Sequence, residues 1–240
     1  MRDRVNDARR LLVSIAAIAA TTIMTLSPPL LAKDTLQTQD YAQPAFNSVS
    51  VQIPADVEIK SSARQSVTVT AEPKVIAALQ INVRNGVLVL ESKNFQTTQA
   101  IKILVEGKPI KSLSVGSSGS VVLRNLTVER FAVDSDSSAD ISILGLDSES
   151  LKLNISGSAT IQISGKSKSV DLKSQGSSEV DASALVAQSV VARVSDASTA
   201  LVNAAVELNA VASESATIKY RGSARIKKQV SDAADIAKVN

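Results

Sequence analysis

The chain of 240 residues contains no cysteine and no histidine. Without thiols, structural disulfides, thiol catalysis and Cys-ligated zinc are excluded. Without imidazole, His-based catalytic triads are excluded and the commonest transition-metal ligand is missing. Aromatic residues make up 2% of the chain and tryptophan is absent, so there is no platform on which nucleobases or sugar rings could stack. Excess charge is also scarce. The net charge is +3, but residues 1–32 hold Arg2, Arg4, Arg9 and Arg10 against Asp3 and Asp7, and the remainder carries only +1. Nothing here makes an electrostatic case for nucleic acid as a partner.

What the chain does have is apolar material, 44% of its residues, drawn from Val, Ile, Leu and Ala and alternating with Ser, Thr and Asp. The length allows one large domain or two small ones. Small branched residues in alternation suit β-structure with narrow, repetitive layers better than a core built around large rings.

The first 32 residues form an address. Arg9 and Arg10 precede an apolar run from Leu11 to Leu26, followed by Ser27, Pro28, Pro29 and a small residue at Ala32. A positive region, an apolar stretch of this length and helix-breaking prolines make the pattern of a cleaved export signal. A retained membrane anchor is the alternative. The run is short for a span and is interrupted by Thr21, Thr22 and Thr25. The arginine pair would also suit a weak twin-arginine signal, and the lack of cysteine rules out a lipoprotein anchor. The expected destination is the periplasm, cell surface or medium of a bacterium.

From Leu113 onward the chain repeats itself. The first apolar residue after each Ser-rich turn is Val121, Ile141, Ile161, Val180, Ala200, Ile218 or Ile236, at steps of 20, 20, 19, 20, 18 and 18. Two residues later stand Leu123, Ile143, Ile163, Ala182, Val202 and Tyr220, on the same strand face. The residues two and three before each anchor are all Gly, Ala or Ser, from Ser118 and Gly119 to Ala233 and Ala234. Corners stacked about 4.8 Å apart leave no room for bulk. A second strand precedes each turn, at Leu113, Phe131, Leu151, Val170 and Val190. Strand, small turn, strand and return in about 20 residues is one coil of a solenoid. An antiparallel sandwich would not require the same residue sizes at the same phase in every repeat, and helical repeats fail on the period-2 alternation.

Residues 33–44 read as a polar linker and residues 45–240 as the solenoid domain. Strands are expected at 49–53, 57–59, 67–69, 81–83, 87–90 and 101–103, with a hairpin turn at Asn85-Gly86. A short helical turn fits 72–79. This less periodic part reads as an N-terminal cap.

These residues carry a resemblance. Ser156-Gly157-Ser158-Ala159-Thr160-Ile161 and Gly176-Ser177-Ser178-Glu179-Val180 resemble the repeated turn of the autotransporter adhesin head GIN domain family. Tyr220, Gly222 and Ala224 resemble its closing motif, with Ala224 in place of the usual proline. Phe46, Val49, Val57 and Ile59 resemble its opening. The likeness spans roughly residues 45–239. It implies an all-β fold, a right-handed parallel β-helix (β-solenoid), and an adhesion-like role in the envelope, with no catalytic residues. Most second glycines of the turn are Ala or Ser here, so that position should not require a left-handed backbone.

Three groups could carry chemistry. Asp140 and Glu179 share an outward column with Thr160 between them, about 9.6 Å apart if two coils separate them. That is the far edge of the spacing used by inverting glycosidases. The same acids are what any solvated β-face carries, and no long loop is available to wall a cleft. Asp134, Asp136 and Asp140 could bind calcium loosely but lack the nonapeptide spacing of calcium solenoids. Lys219, Arg221, Arg225, Lys227 and Lys228 form the single basic cluster, with Lys219, Arg221, Arg225 and Lys227 expected on one face of an edge coil. They either protect the end from edge-to-edge pairing or dock on an anionic lipid or polysaccharide. A protein partner and end-to-end self-association are further uses of such an end. The expected function is a non-enzymatic, exported envelope module that binds or supports, without cofactor. A polysaccharide-acting enzyme on a β-helix is the alternative.

The mature protein is expected to begin near Lys33. N-terminal sequencing of protein from a periplasmic or extracellular fraction checks this, and an intact Met1 terminus on cytoplasmic protein contradicts it.

Overall fold

Alternating Val, Ile and Leu with nothing bulky between them leaves the chain one economical way to bury apolar area: strands stacked on copies of themselves. The computed structural model describes residues 35–239. The export-signal reading of residues 1–32 lies outside them. In chain order, β1 (Gln37–Tyr41), β2 (Ser48–Val51), β3 (Asp56–Ser61) and β4 (Ser66–Ala71) precede the short helix α1 (Pro73–Ala78). Next come β5 (Leu79–Arg84), β6 (Val87–Ser92), β7 (Lys102–Gly107), β8 (Ser112–Val115), β9 (Ser120–Arg124) and β10 (Thr127–Ser135). Four long strands follow: β11 (Asp140–Ile155), β12 (Thr160–Ser174), β13 (Glu179–Val194) and β14 (Thr199–Ala212). The chain closes with β15 (Thr217–Arg221), β16 (Arg225–Val230) and β17 (Asp235–Lys238). Together they make a β-solenoid of about six turns with roughly 20-residue coils. Among the described residues, no helix is long and apolar enough to cross a membrane.

The repeat is realised in register. Val121, Ile141, Ile161, Val180, Ala200, Ile218 and Ile236 pair in sequence across parallel strands, all of them buried. A second ladder stacks Leu113, Val133, Leu153, Leu172, Ala192 and Ala210 on the opposite part of each coil. The corner residues Ala139, Ala159, Ser178, Ser198 and Ala216 point inward and are almost wholly buried. Ser178 exchanges a hydrogen bond with Ser174 (2.7 Å) and with Ser198 (3.2 Å), so hydroxyls are tolerated at this corner because they satisfy one another. The residues just before them, Ser138, Ser158, Ser177, Ala197 and Ser215, are exposed, so burial does not explain their small size. As expected, the second turn position is not left-handed. The positive φ falls two residues earlier, at Gly157 (84°), Gly176 (86°), Asp196 (61°), Glu214 (64°) and Asp232 (58°).

The first third departs from simple coiling. The coil formed by β2 and β3 lies between the one formed by β6 and β7 and the one formed by β8 and β9. The chain lays down its second level, then its outermost level, then crosses back to the third. Pairing across 64 residues holds this order: Ser112 Oγ donates to Ser48 Oγ (2.8 Å) and Ser120 Oγ to Asp56 Oδ1 (2.7 Å). The close approach also explains Gly119, where an added Cβ would lie 2.5 Å from the Ala55 carbonyl oxygen. Outside the outermost coil the direction reverses. β4 runs antiparallel to β7 and β5 antiparallel to β6, with Asn85 and Gly86 both at positive φ in the hairpin turn. Residues 37–41, read from sequence as part of a polar linker, form β1, antiparallel to β4. Gln37, Thr38, Gln39 and Asp40 are exposed and only Tyr41 at the end of the strand is half-buried against the core. No hydrophobic alternation therefore marks the strand, and its order comes largely from backbone pairing at a sheet edge. Beside α1, the buried Glu72 accepts from Thr97 Oγ1 (2.8 Å) and pairs with Lys74 (3.1 Å), which holds its carboxyl below the usual range.

Three substitutions test the inside–outside phase. Ile161→Asp places a charge in a fully buried column and should cost several kcal/mol. Ala159→Leu overfills a buried corner and should cost about 1–3 kcal/mol. Gln162→Lys, facing solvent, should stay within about 0.5 kcal/mol of wild type. Thermal melts that rank Gln162→Lys as the most damaging would overturn the phase.

Candidate functional site

Side chains that do not enter the core must line up on its outside, because a strand alternates and the coils are in register. The column beside the inward anchors runs Lys102, Asp56, Ser120, Asp140, Thr160, Glu179, Thr199, Thr217, Asp235. Asp140 and Glu179 thus sit two coils apart with Thr160 between them, as their spacing predicts, and both are exposed. A shallow groove of about 440 Å³ opens on this surface, lined by Asp56, Glu58, Thr68, Lys102, Leu104 and Arg124 among others. Its lining ends on β9, short of both acids.

The calcium candidates separate. Asp134 lies one residue before the end of β10, where its Oδ1 accepts from Asn154 Nδ2 (2.7 Å), while Asp140 starts β11 beyond the turn. Among the described residues, no three acids come together in a group that could hold a metal.

The basic cluster is split by the fold. Lys219 and Arg221 lie on β15 and Arg225 and Lys227 on β16, two strands that continue different segments of the coil. They face outward but do not share the single face expected from alternation, because Gly222 at φ 95° turns the chain between them. Arg225 pairs with Glu207 at 3.1 Å. Lys228, though exposed, stands in the inward column of Ala210: its Nζ donates to the Ile236 carbonyl (2.9 Å) and lies 5.2 Å from the centre of the Tyr220 ring. That leaves Lys219, Arg221 and Lys227 as outward cations with no acid in salt-bridge reach among the described residues. Several outward cations elsewhere are matched by acids one coil earlier, Lys166 by Asp147 (3.1 Å), Arg193 by Asp171 (3.0 Å) and Lys168 by Glu149.

One arrangement was not anticipated. The left-handed turn residues of successive coils are linked through their carboxylates. The Gly176 N–H donates to Asp196 Oδ2 (2.8 Å), the Asp196 N–H to Glu214 Oε2 (2.6 Å), and the Glu214 N–H to Asp232 Oδ2 (3.3 Å). Each acid adopts a backbone conformation that glycine takes freely at Gly157 and Gly176, and its carboxylate satisfies an amide one coil earlier. The sequence signal was present: the glycine of the turn gives way to an acid at 196, 214 and 232.

Residues 45–224 match the family described as "Putative auto-transporter adhesin, head GIN domain". The chain belongs to this family. Similar solved structures include a "putative adhesin" from Bacteroides fragilis, 22% identical, with 85% of this chain and 97% of that chain covered and a TM-score of 0.79. A "putative lipid binding protein" from Parabacteroides distasonis is 19% identical, with 87% and 98% covered and a TM-score of 0.73. A "putative adhesin" from Parabacteroides merdae is 16% identical, with 87% and 98% covered and a TM-score of 0.67. These likenesses show a shared fold. No curated protein matches the chain. The head GIN match stops at Ala224; beyond it β16 stacks on β14 beside β15, and β17 stacks on β15.

The acid ladder sets a pH dependence. The hydrogen bond to the Gly176 amide, then that to Glu214, lowers the Asp196 carboxyl. The contact with Asp196 chiefly raises that of Glu214, and the charge of Asp232 adds to it. A lowered Asp196 contributes stability above its unfolded value that is lost as pH falls. A raised Glu214 contributes stability below its unfolded value that is lost as pH rises through its folded value. The pair is therefore most stable sharing one proton, in the carboxylate range. Glu214→Gln keeps an acceptor for the Asp196 amide and adds a donor to the Asp196 carboxylate. The expected result is a higher Tm at pH 7–8 and a flatter alkaline limb; a lower Tm there would contradict the shared-proton picture.

Proposed function

We propose that this head GIN domain is an exported, adhesin-like binding module of the bacterial envelope, working without chemical turnover. The observation that carries the reading is the unbroken outward column from Lys102 to Asp235, a rigid ladder of polar side chains one coil apart. Such a ladder suits many weak contacts with an extended partner. Catalysis needs a few perturbed groups in a pocket that excludes water. Asp140 and Glu179 lie exposed on an open face instead. Membership of a family named for adhesins supports an exported or surface location.

For the partner we favour an anionic envelope polymer or lipid surface, held by Lys219, Arg221 and Lys227. Arg225 is engaged by Glu207 and Lys228 is turned to the core end, so these two of the five sequence candidates contribute less. The lipid-binding description of a structural relative is consistent with the lipid arm of this reading. At about 1 kcal/mol per cation near an anionic surface, replacing three should weaken attachment roughly 100-fold at low salt.

The test uses protein beginning at Lys33, envelope polysaccharide fractions, and vesicles with and without anionic lipid. K219Q/R221Q/K227Q should lose salt-sensitive attachment, while D140N/E179Q should keep both fold and attachment. Glycan cleavage by wild type that vanishes in folded D140N/E179Q would overturn the reading in favour of a polysaccharide-acting enzyme.

A further inference from the structure

The two ends of the stack are finished differently. At the N-terminal end, antiparallel β1, β4 and β5 cover the outermost parallel coil. At the C-terminal end, β16 is hydrogen-bonded to β14 and β17 to β15, so among the described residues each keeps one unpaired parallel edge. Such an edge is a template for another strand, and a second copy of this chain carries the same template. The last coil even leaves Val230 half exposed in a column whose previous member, Ala212, is buried.

Yet two inward positions of this coil are lysines. Lys228 stands on Ala210 in the column that runs through Leu153, Leu172 and Ala192. Lys238 stands on Tyr220 in the column of Ala182 and Val202. The Lys228 side chain crosses from β16 to the β17 carbonyl of Ile236, passing over the Tyr220 ring at the mouth of the core. In the coils before them these columns hold apolar residues, as a stacked interior requires. A further coil would have to bury both ammonium groups against apolar side chains.

We propose that Lys228 and Lys238 terminate the solenoid: they keep the C-terminal edge from pairing with that of a second copy, and so hold the chain monomeric. This differs from protection by the outward cluster, whose members would remain solvated in an end-to-end pair and so block it only weakly.

The experiment compares sedimentation velocity and light scattering of protein beginning at Lys33 over a wide concentration range. Wild type should stay monomeric. K228V/K238V should associate end to end, with a dimer dissociation constant at least tenfold lower than that of wild type. K238V alone, at an exposed position, should fold normally and shift in the same direction, so it decides the matter if the double variant does not fold. The outward control K219Q/R221Q/K227Q should remain monomeric. End-to-end association of wild type, association of the outward control, or folded K228V/K238V that stays monomeric would each overturn the proposal. Where the double variant is unfolded, monomeric K238V does the same.

Discussion

In-register parallel stacking is the constraint from which the other features follow. Each side chain sits directly on its counterpart one coil away, at about 4.8 Å. Inward, only side chains that tolerate a copy of themselves above and below can be used, hence the runs of Val, Ile, Leu and Ala and the near absence of rings. At the corners the restriction tightens to Ala and Ser, and the buried hydroxyls of Ser178 and Ser198 pair with each other. Charges obey the same geometry outside: an acid one coil before a base, as in Asp147 with Lys166, turns column repulsion into attraction. Exposed pairs of this kind contribute little to stability individually. Register also sets like charges beside one another, as with Lys173 and Arg193, so the matching of acid to base is partial.

A stack has ends, and ends are where register alone is insufficient. At the N-terminus the chain reverses direction and covers itself, with β4 antiparallel to β7 and β5 antiparallel to β6. At the C-terminus two lysines occupy columns that are apolar in the preceding coils. The first solution adds buried area through Val67, Val69 and Val75. The second leaves part of the last coil open to solvent and makes further growth unfavourable. One is positive packing, the other a charge placed where a neighbour would have to bury it.

How much of this was legible follows from the range of the interactions. The anchors from Val121 to Ile236, the alternation beside them and the small corners are local patterns repeated at fixed phase, and the structure holds them as expected. The hairpin at Asn85-Gly86 and the turn of α1 were visible for the same reason. The order of the first coils was not. Val57 could pair with any apolar strand of like spacing, and nothing near it in sequence says that it lies between Ile103 and Val121. β1 was invisible because an edge strand of Gln, Thr and Asp, with Tyr41 alone half-buried at its end, has no alternating buried face to imprint a period. The basic cluster was found, but its members were assigned to a single face, since the turn at Gly222 was not weighed against alternation. The acid ladder needed one more step: seeing that an acid in place of a turn glycine, repeated coil after coil, satisfies the amide of the preceding coil.

These separations bear on how such a fold acquires function. A coil touches chiefly its neighbours, so a change in an inward column is felt one coil up and one coil down, whereas a change in an outward column leaves the core untouched. The column from Lys102 to Asp235 already mixes acids, hydroxyls and one cation without disturbing the anchors one residue away. Recognition can therefore vary along the outer ladders at little structural cost, while the anchors keep one spacing and one rigid frame. This independence explains how relatives less than a quarter identical to this chain share its fold. It also places any determinant of ligand choice in the outward residues, where identity can change freely, rather than in the buried columns.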